Sequence, residues 1–267
     1  MAINHYENFP VASLLLPPRF RRPIALIYRF AREADDVADE GDLPAAGRLA
    51  QLERFREQLR RIERGVAPDI PWFTALAAII REHDLPIAAF TDLLSAFTQD
   101  VTQKRYANAT EMLDYCRRSA NPVGRLLLHL FRSTSEAHLR WSDSICSALQ
   151  LVNFWQDIAI DYAKGRVYLP QDEMRRHGVT EEHIAGQRCD NAWRSLIQSQ
   201  IERARGMLNA GQPLGRALPG RIGLEIRATV QGGLRILKKL ERAQCDMFRH
   251  RPALRWHDWP VILARAL

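Results

Sequence analysis

The segment Asp143–Lys164 reads DSICSALQLVNFWQDIAIDYAK and is apolar around almost its whole circumference when drawn as a helix. At about 100° per residue its polar side chains fall on one narrow stripe, which consists of Gln150, Asn153, Asp157 and Asp161. A helix that is apolar nearly all round is usually buried. We therefore predict a central helix whose carboxylates face an internal cavity, where an unpaired charge is costly and a cation must be near.

The rest of the chain also has helical periodicity, because β-branched runs with a period of two do not recur. Helices are predicted between breakers such as Pro71, Gly165 and Gly211. Their predicted bounds are Arg22–Ala38, Ala45–Arg64, Pro71–His83, Pro86–Lys104, Ala109–Ser119, Pro122–Arg132, Asp143–Lys164, Asn191–Leu208 and Leu224–Phe248, with a short helix near the C-terminus. Since connections are short and no linker or repeat is visible, we predict one all-α domain over residues 1–267.

Composition places the chain among folded proteins with a basic surface. Its 267 residues are 46% hydrophobic and 26% charged, which argues against disorder. No apolar run approaches the ~20 residues of a membrane span, no export signal is recognised, and the four cysteines lie far apart, so we expect a cytoplasmic protein with reduced thiols. The net charge of +7 suits a nucleic acid, an anionic lipid or a phosphorylated substrate.

A second acidic pair lies on the predicted helix Arg22–Ala38 and its continuation through Asp39. One face of this helix carries Tyr28, Arg32, Asp35 and Asp39 at spacings of four, three and four. Asp35 and Asp39 are one turn apart, about 6 Å along the axis. Taken alone, this segment is equally typical of a surface helix with i,i+4 charges.

Together the two aspartate pairs predict a magnesium site for a diphosphate. Magnesium takes one or two carboxylates and completes its shell with phosphate oxygens and water. Four carboxylates without a cation would repel one another, and salt bridges to neighbouring helices are the alternative explanation for them. Cations expected near the leaving diphosphate are Arg32, Arg105, Arg117, Lys164 and Arg166.

Around these residues the chain resembles the squalene/phytoene synthase family, the all-α class I prenyl-diphosphate enzymes. The matching motifs are YRFAREADDVADE (Tyr28–Glu40), QDVTQKRY (Gln99–Tyr106), DYCRRSANPVG (Asp114–Gly124) and NFWQDIAIDYAKGRVYLP (Asn153–Pro170). The opening HYENFPVASLLLP and the segment CRRSANPVGRLLL look most like the bacterial hydroxysqualene synthase branch.

The resemblance implies a helical bundle around a central cavity and the magnesium-dependent conversion of presqualene diphosphate and water into hydroxysqualene and diphosphate, on a route to squalene and hopanoids. The family's magnesium ligands correspond to Asp35, Asp39, Asp157 and Asp161, with Asn153 beside them. The family's diphosphate-binding arginine corresponds to Arg32, and a tyrosine on the same helix face corresponds to Tyr28.

Three positions depart from squalene-forming relatives. Arg117 stands where those relatives have a tyrosine, Asn121 replaces a glycine, and Gln156 stands where an arginine is common. These differences weaken the implication of reductive squalene formation. They make Arg117 and Asn121 candidates for positioning the attacking water.

Other functions and partners remain open. The enzymatic alternative is head-to-head condensation of two farnesyl or other prenyl diphosphates, giving presqualene diphosphate, squalene or phytoene. A non-catalytic scaffold or assembly protein and a helical nucleic-acid binder are alternatives from other classes, although we expect no nucleic-acid partner. The basic run Arg54–Arg64 and the segment 14–23 (LLLPPRFRRP) are candidates for peripheral membrane contact. The segment Arg249–Trp259 is expected to be a loop that packs its two tryptophans.

Overall fold

The computed structural model describes residues 17–249 and 251–267, so the opening segment that contributes to the family resemblance, with residues 14–16 of the candidate lipid contact, lies outside it. The α-helices of the described residues are α1 (Pro18–Asp39), α2 (Ala45–Glu63), α3 (Pro71–Glu82), α4 (Ile87–Thr102), α5 (Ala109–Ser119), α6 (Asn121–Leu130), α7 (Glu136–Ala163), α8 (Gln171–Arg176), α9 (Glu181–Ala185), α10 (Asn191–Gly211), α11 (Leu214–Ala217), α12 (Gly220–Arg242) and α13 (Trp259–Ala266). A 3-10 turn spans Trp256–Asp258. The all-α prediction is confirmed.

The central helix is α7, which packs against α5, α6, α10 and α12. Ile145, Leu151 and Trp155 are buried in it, as its apolar circumference predicts, whereas Ile160 is 49% exposed. The helix starts seven residues before the predicted Asp143, because the side chain of Ser135 caps the backbone amide of His138 at 3.3 Å. This cap extends α7 through residues with no strong apolar period.

Sequence reasoning misplaced several other boundaries. Helix α1 already begins at Pro18, a proline at the first helical turn, where its missing amide hydrogen has no intrahelical role. The prediction that the last long helix reaches Phe248 is wrong, because α12 ends at Arg242 and Gln244 and Cys245 adopt positive φ angles of 52° and 60°. The short helices α8, α9 and α11 were not predicted, since four to six residues contain too little periodicity.

The C-terminal segment forms the expected loop at residues 251–255 and continues as the 3-10 turn and α13. The predicted short helix is present as α13, and Trp259 packs with Ile262 and Ala266 against Ala228 of α12. Trp256 is 83% exposed, so the expectation that both tryptophans pack holds for Trp259 and is wrong for Trp256.

Two apolar clusters form the core of the described residues. One is built around α1 to α4 with Phe30 at its centre, and the other surrounds α7 and α10. They meet at α6, where Leu126 belongs to the first cluster and Leu128 to the second. The residues described include no helix with a stretch both long and apolar enough to cross a bilayer.

Candidate active site

The four predicted aspartates line one polar pocket of about 150 Å³. Asp35 and Asp39 reach it from the end of α1, and Asp157 and Asp161 reach it from α7, one turn apart on each helix. The remaining lining residues are Asp100, Tyr115, Gln150, Asn153, Phe154, Arg166 and Tyr168. The two pairs that the sequence separates by more than a hundred residues therefore face each other across one pocket.

Asp39 is bound by Arg166, which the sequence analysis predicted as a cation near the diphosphate. The Nη1 atom of Arg166 donates to Oδ2 of Asp39 at 2.6 Å, and Nη2 donates to Oδ1. Gly165, with a φ of +76°, ends α7 in the left-handed region and turns the chain back toward the pocket. A parallel bridge between Arg105 and Val167 fixes the returning segment.

Asp157 is held by Arg251, a residue that sequence reasoning missed. The Nη2 atom of Arg251 donates to Oδ2 of Asp157 at 3.1 Å, and its Nε donates to Oδ1. The neighbouring Gln156 donates from Nε2 to the carbonyl of Pro252, so adjacent residues of α7 bind adjacent residues of the C-terminal segment. The basic composition of Arg249–Trp259 is the sequence feature that could have indicated this contact, but no local pattern links that segment to α7.

Asp35 and Asp161 have no bidentate arginine partner of this kind among the described residues, and their pKa values are strongly raised. Burial and the neighbouring carboxylate of Asp39 raise the pKa of Asp35 to about 7. Burial and the carboxylate of Asp157 raise the pKa of Asp161 to about 7 in the same way. Each pair thus contains a carboxyl group without a bidentate arginine partner, and a bound cation would favour the ionised form of that group.

The oxygen donors fit magnesium, although they are not assembled into a closed cage. Among the described residues, no three His, Cys, Asp or Glu side chains are grouped closely enough to hold a metal ion by themselves. Magnesium usually keeps several waters and binds one or two carboxylates together with substrate phosphates. Carboxylates from two facing helices, with the amides of Asn153 and Gln150 beside them, match that pattern.

Asp100 and Tyr115 form a second buried acidic element that was not predicted. The hydroxyl of Tyr115 donates to Oδ2 of Asp100 at 2.7 Å. Burial raises the pKa of Asp100 to about 7, against the hydrogen bond from Tyr115, which lowers it. Tyr168 lines the same pocket and stacks on Phe154 with ring centroids 3.7 Å apart. Asp100 lies at the end of the apolar face of α4. An acidic residue on a buried face is the sequence feature that could have indicated this element.

An apolar cavity of about 320 Å³ lies along the same two helices. Tyr28 of α1 and Leu149 of α7 line it, while Asp35 and Gln150 of these helices line the acidic pocket. Its other walls come from α6, α11 and α12, and include Leu127, Phe131, Leu214, Ile222 and Ile226. The predicted Tyr28 therefore faces an apolar chamber next to the aspartates.

The remaining predicted residues are placed less centrally. Arg32 lines neither cavity but lies beside the first aspartate pair, with its Nη1 atom 3.3 Å from Oδ2 of Asp35. Arg117 is half-exposed and pairs with Asp114 at 2.8 Å, and it lines neither cavity. Its neighbour Arg118 is the one that turns inward.

Asn121 is also outside both cavities. It is buried where α6 meets α7, and its Oδ1 accepts a hydrogen bond from Ser147 at 2.8 Å. Arg105, a candidate diphosphate contact, is bound to Glu181 through two hydrogen bonds of 2.5 and 2.7 Å. The structure thus brings Arg166 to the aspartates and leaves Arg117, Asn121 and Arg105 in other contacts.

Comparison with known proteins agrees with this geometry. A profile of the squalene/phytoene synthase family matches residues 3–259. Hydroxysqualene synthase of Rhodopseudomonas palustris is 36% identical over 239 residues, covering 88% of this chain and 80% of that protein. Phytoene synthase of Thermus thermophilus is 30% identical over 264 residues, covering 98% of this chain and 88% of that protein.

The fold has a close counterpart among solved structures. The crystal structure of squalene synthase HpnC from Alicyclobacillus acidocaldarius superposes with a TM-score of 0.84 at 35% sequence identity, and the match covers 90% of each chain. The expected helical bundle of this enzyme class is therefore confirmed.

Proposed function

This chain belongs to the squalene/phytoene synthase family, and from that premise we propose that it converts presqualene diphosphate and water into hydroxysqualene and inorganic diphosphate. The C–O bond to the diphosphate breaks, and the leaving group departs with the bonding electrons. Water then forms a new C–O bond with the rearranged carbocation, and the released diphosphate accepts the water's proton. The observation that carries the proposal is the acidic pocket beside an apolar chamber.

The chain's own residues would hold the charged end of the substrate. Asp35, Asp39, Asp157 and Asp161, with Asn153, would bind magnesium, which neutralises the diphosphate and assists its departure. Arg166 and Arg251 already lie on two of these carboxylates. If magnesium occupied the aspartates, both guanidinium groups would pair with diphosphate oxygens, a bidentate contact that suits arginine.

The apolar chamber would hold the prenyl chains and exclude bulk water. Its lining is dominated by aliphatic side chains, which are inert toward a carbocation. Tyr28 is its aromatic residue on the face of α1 that also carries Asp35. Its ring would stabilise positive charge through its π face after the diphosphate has left.

The choice of hydroxysqualene as product is supported by the relatives rather than by the site. Hydroxysqualene synthases of Rhodopseudomonas palustris and Zymomonas mobilis are each 36% identical to this chain. Arg117 and Asn121 line neither cavity, so the proposal gives them no part in positioning the water. Condensation of two prenyl diphosphates is the second candidate, because a phytoene synthase is 30% identical across nearly the whole chain.

Product analysis with defined substrates separates these reactions. The purified protein is incubated with magnesium and either presqualene diphosphate or farnesyl diphosphate, with and without a reduced nicotinamide, in water labelled with heavy oxygen. We expect labelled hydroxysqualene from presqualene diphosphate alone, independent of the nicotinamide. A C30 product from farnesyl diphosphate alone would overturn the proposal in favour of condensation.

A variant of the second aspartate pair controls for contamination and tests the scaffold alternative. Asp157→Ala should abolish product formation from presqualene diphosphate, because it removes a carboxylate from the proposed metal site. In a host that depends on this protein, the same variant should fail to restore the lost product. Full restoration by Asp157→Ala would mean that the protein acts without catalysis.

A further inference from the structure

The 3-10 turn at Trp256–Asp258 and helix α13 expose apolar side chains on the side that faces away from the protein. Trp256, Pro260, Leu263 and Leu267 follow one another at spacings of four, three and four, and all four are exposed. We call these four residues the α13 stripe. Trp256 is 83% exposed and Leu263 is 40% exposed, and Val261 beside them is 36% exposed. A contiguous apolar patch of this kind on a monomer usually marks an interaction site.

The stripe is presented by a helix that is anchored from its other side. Asp258 is fully buried and accepts a hydrogen bond from Nε of Arg235 at 2.8 Å and one from Lys239. Ile262 and Ala266 pack against α12, and Arg227 donates to the carbonyl of Ala266. The exposed tryptophan therefore belongs to a docked element with defined orientation.

Within residues 251–267 the exposed ionisable side chains are basic. Arg255, His257 and Arg265 are exposed around it. Asp258, the acid within residues 251–267, is internal and neutralised by its two basic partners. Basic residues near an anionic bilayer are attracted to it, and a tryptophan ring is favoured at the level of the headgroups.

We propose that the α13 stripe docks the protein on an anionic membrane surface. A second copy of the chain fits less well, because a two-fold interface would bring the arginines flanking each stripe together. Helix α12 contributes Ile222 and Ile226 to the apolar cavity and Leu224 and Ala228 to the contact with α13. The docking face thus lies one helix away from the cavity. The proposal rests on exposure and charge and does not require the proposed reaction.

The basic segment nominated from sequence, Arg54–Arg64, is less suited to this contact. Arg60 pairs with Glu57 at 3.0 Å, and Arg56 pairs with Glu53, so acids interrupt its positive surface. Its hydrophobic residues Leu59 and Ile62 are buried. These contacts fit a solvent-exposed basic helix face.

Vesicle co-sedimentation of the intact protein, without substrate or metal, tests the proposal. One set of vesicles contains phosphatidylglycerol mixed with phosphatidylcholine, and the other contains phosphatidylcholine alone. We expect binding to the anionic vesicles that weakens with salt. The double variant Trp256→Glu/Leu263→Glu should reduce binding by about tenfold or more, since it replaces apolar contacts with charges that the bilayer repels.

Matched variants distinguish vesicle binding through the α13 stripe from general effects of substituting a surface residue. Val66→Glu alters an apolar residue that is 48% exposed in the α2–α3 connection, and it should bind vesicles as the unaltered protein does. Arg255→Gln/Arg265→Gln should lower binding and its salt dependence together. Thermal melting of each variant checks that the fold is kept.

Three outcomes would overturn the proposal. They are no binding of the unaltered protein to anionic vesicles, equal binding of the Trp256→Glu/Leu263→Glu variant, and a dimer in analytical ultracentrifugation that this variant dissociates. The last result would assign the stripe to a second copy. Because no catalysis is measured, none of these results bears on the proposed reaction, and failure of the reaction would leave the docking test intact.

Discussion

The half-buried carboxyl groups of Asp35 and Asp161 couple the stability of the protein to pH. Their pKa values are raised to about 7, so the folded state binds their protons more tightly than the unfolded state does. The stability that follows from this is fully present below about pH 4, the ordinary range of an aspartate, and is lost as the pH rises through about 7. The metal-free protein is consequently strained where the enzyme would work.

Removing one of these carboxyl groups should relieve that strain. We expect Asp35→Asn and Asp161→Asn to raise the melting temperature of the metal-free protein at about pH 8, with a difference that disappears toward pH 4, because an amide does not ionise. Thermal melts across this pH range in the presence of a chelator provide the measurement. Both variants should lose turnover of presqualene diphosphate.

An exposed acid provides the control for this effect. Asp42 lies in the connection after α1. Asp42→Asn should change neither the pH dependence of the melting temperature nor the turnover of presqualene diphosphate. Melting temperatures that fall sharply in Asp35→Asn or Asp161→Asn would instead mean that these residues are structural ion-pair partners.

Two adjacent arginines of α5 should differ in what they contribute. Arg118 is only 14% exposed and donates to Ser95 at 3.1 Å, whereas Arg117 is 52% exposed. We expect Arg118→Ala to lower the free energy of unfolding by about 1–3 kcal/mol, because it removes hydrogen bonds to the partly buried Ser95 and Gln99. Arg117→Ala should stay within about 0.5 kcal/mol and keep the same product. Denaturant titration and product analysis measure these effects, and a changed product in Arg117→Ala would return that residue to the site.

At the scale of elements, the contact between α7 and α10 depends on a close backbone approach. A Cβ atom added to Gly211 would lie 2.8 Å from the carbonyl oxygen of Trp141 and 2.4 Å from Cγ1 of Ile145. Since Ile145 lines the apolar cavity, a shift of α7 at this point would change the shape of that cavity. Helix packing is thus part of what shapes the chamber proposed for the prenyl chains.

A pair of glycine substitutions in one helix tests this contact. Gly211→Ala should destabilise the protein by about 1–3 kcal/mol, because α10 must move away from α7. Gly206→Ala in the same helix meets no atom within 4 Å and should stabilise it by up to about 1 kcal/mol through helix propensity. Chemical denaturation of both variants provides the comparison, and equal effects would show that Gly211 is not a packing constraint.

At the scale of the whole molecule, the two apolar clusters should unfold together. Helix α6 gives Leu126 and Leu130 to one cluster and Leu128 to the other, and Ile222 packs against both. We therefore expect a single calorimetric transition with equal calorimetric and van't Hoff enthalpies, as one domain over residues 1–267 requires. Two resolved transitions would mean that the clusters are separate folding units.

Periodicity was enough to derive the all-α class, the burial of α7 and the two aspartate pairs. These features depend on residues three or four positions apart, so they can be recognised within a short segment of the sequence. The meeting of the two pairs in one pocket was predicted from their shared suitability as ligands for a magnesium-bound diphosphate. The family resemblance added the expected reaction, which helix geometry does not contain.

Contacts between distant segments required the packed molecule. Asp157 meets Arg251 across 94 positions, and Asp100 reaches the same pocket from α4. The same packing turned Arg118 inward and Arg117 outward, and it exposed Trp256 while burying Asp258. Helical spacing defines which side chains share a face, but the direction of that face depends on the neighbouring helices, because most of the burial energy comes from tertiary contacts.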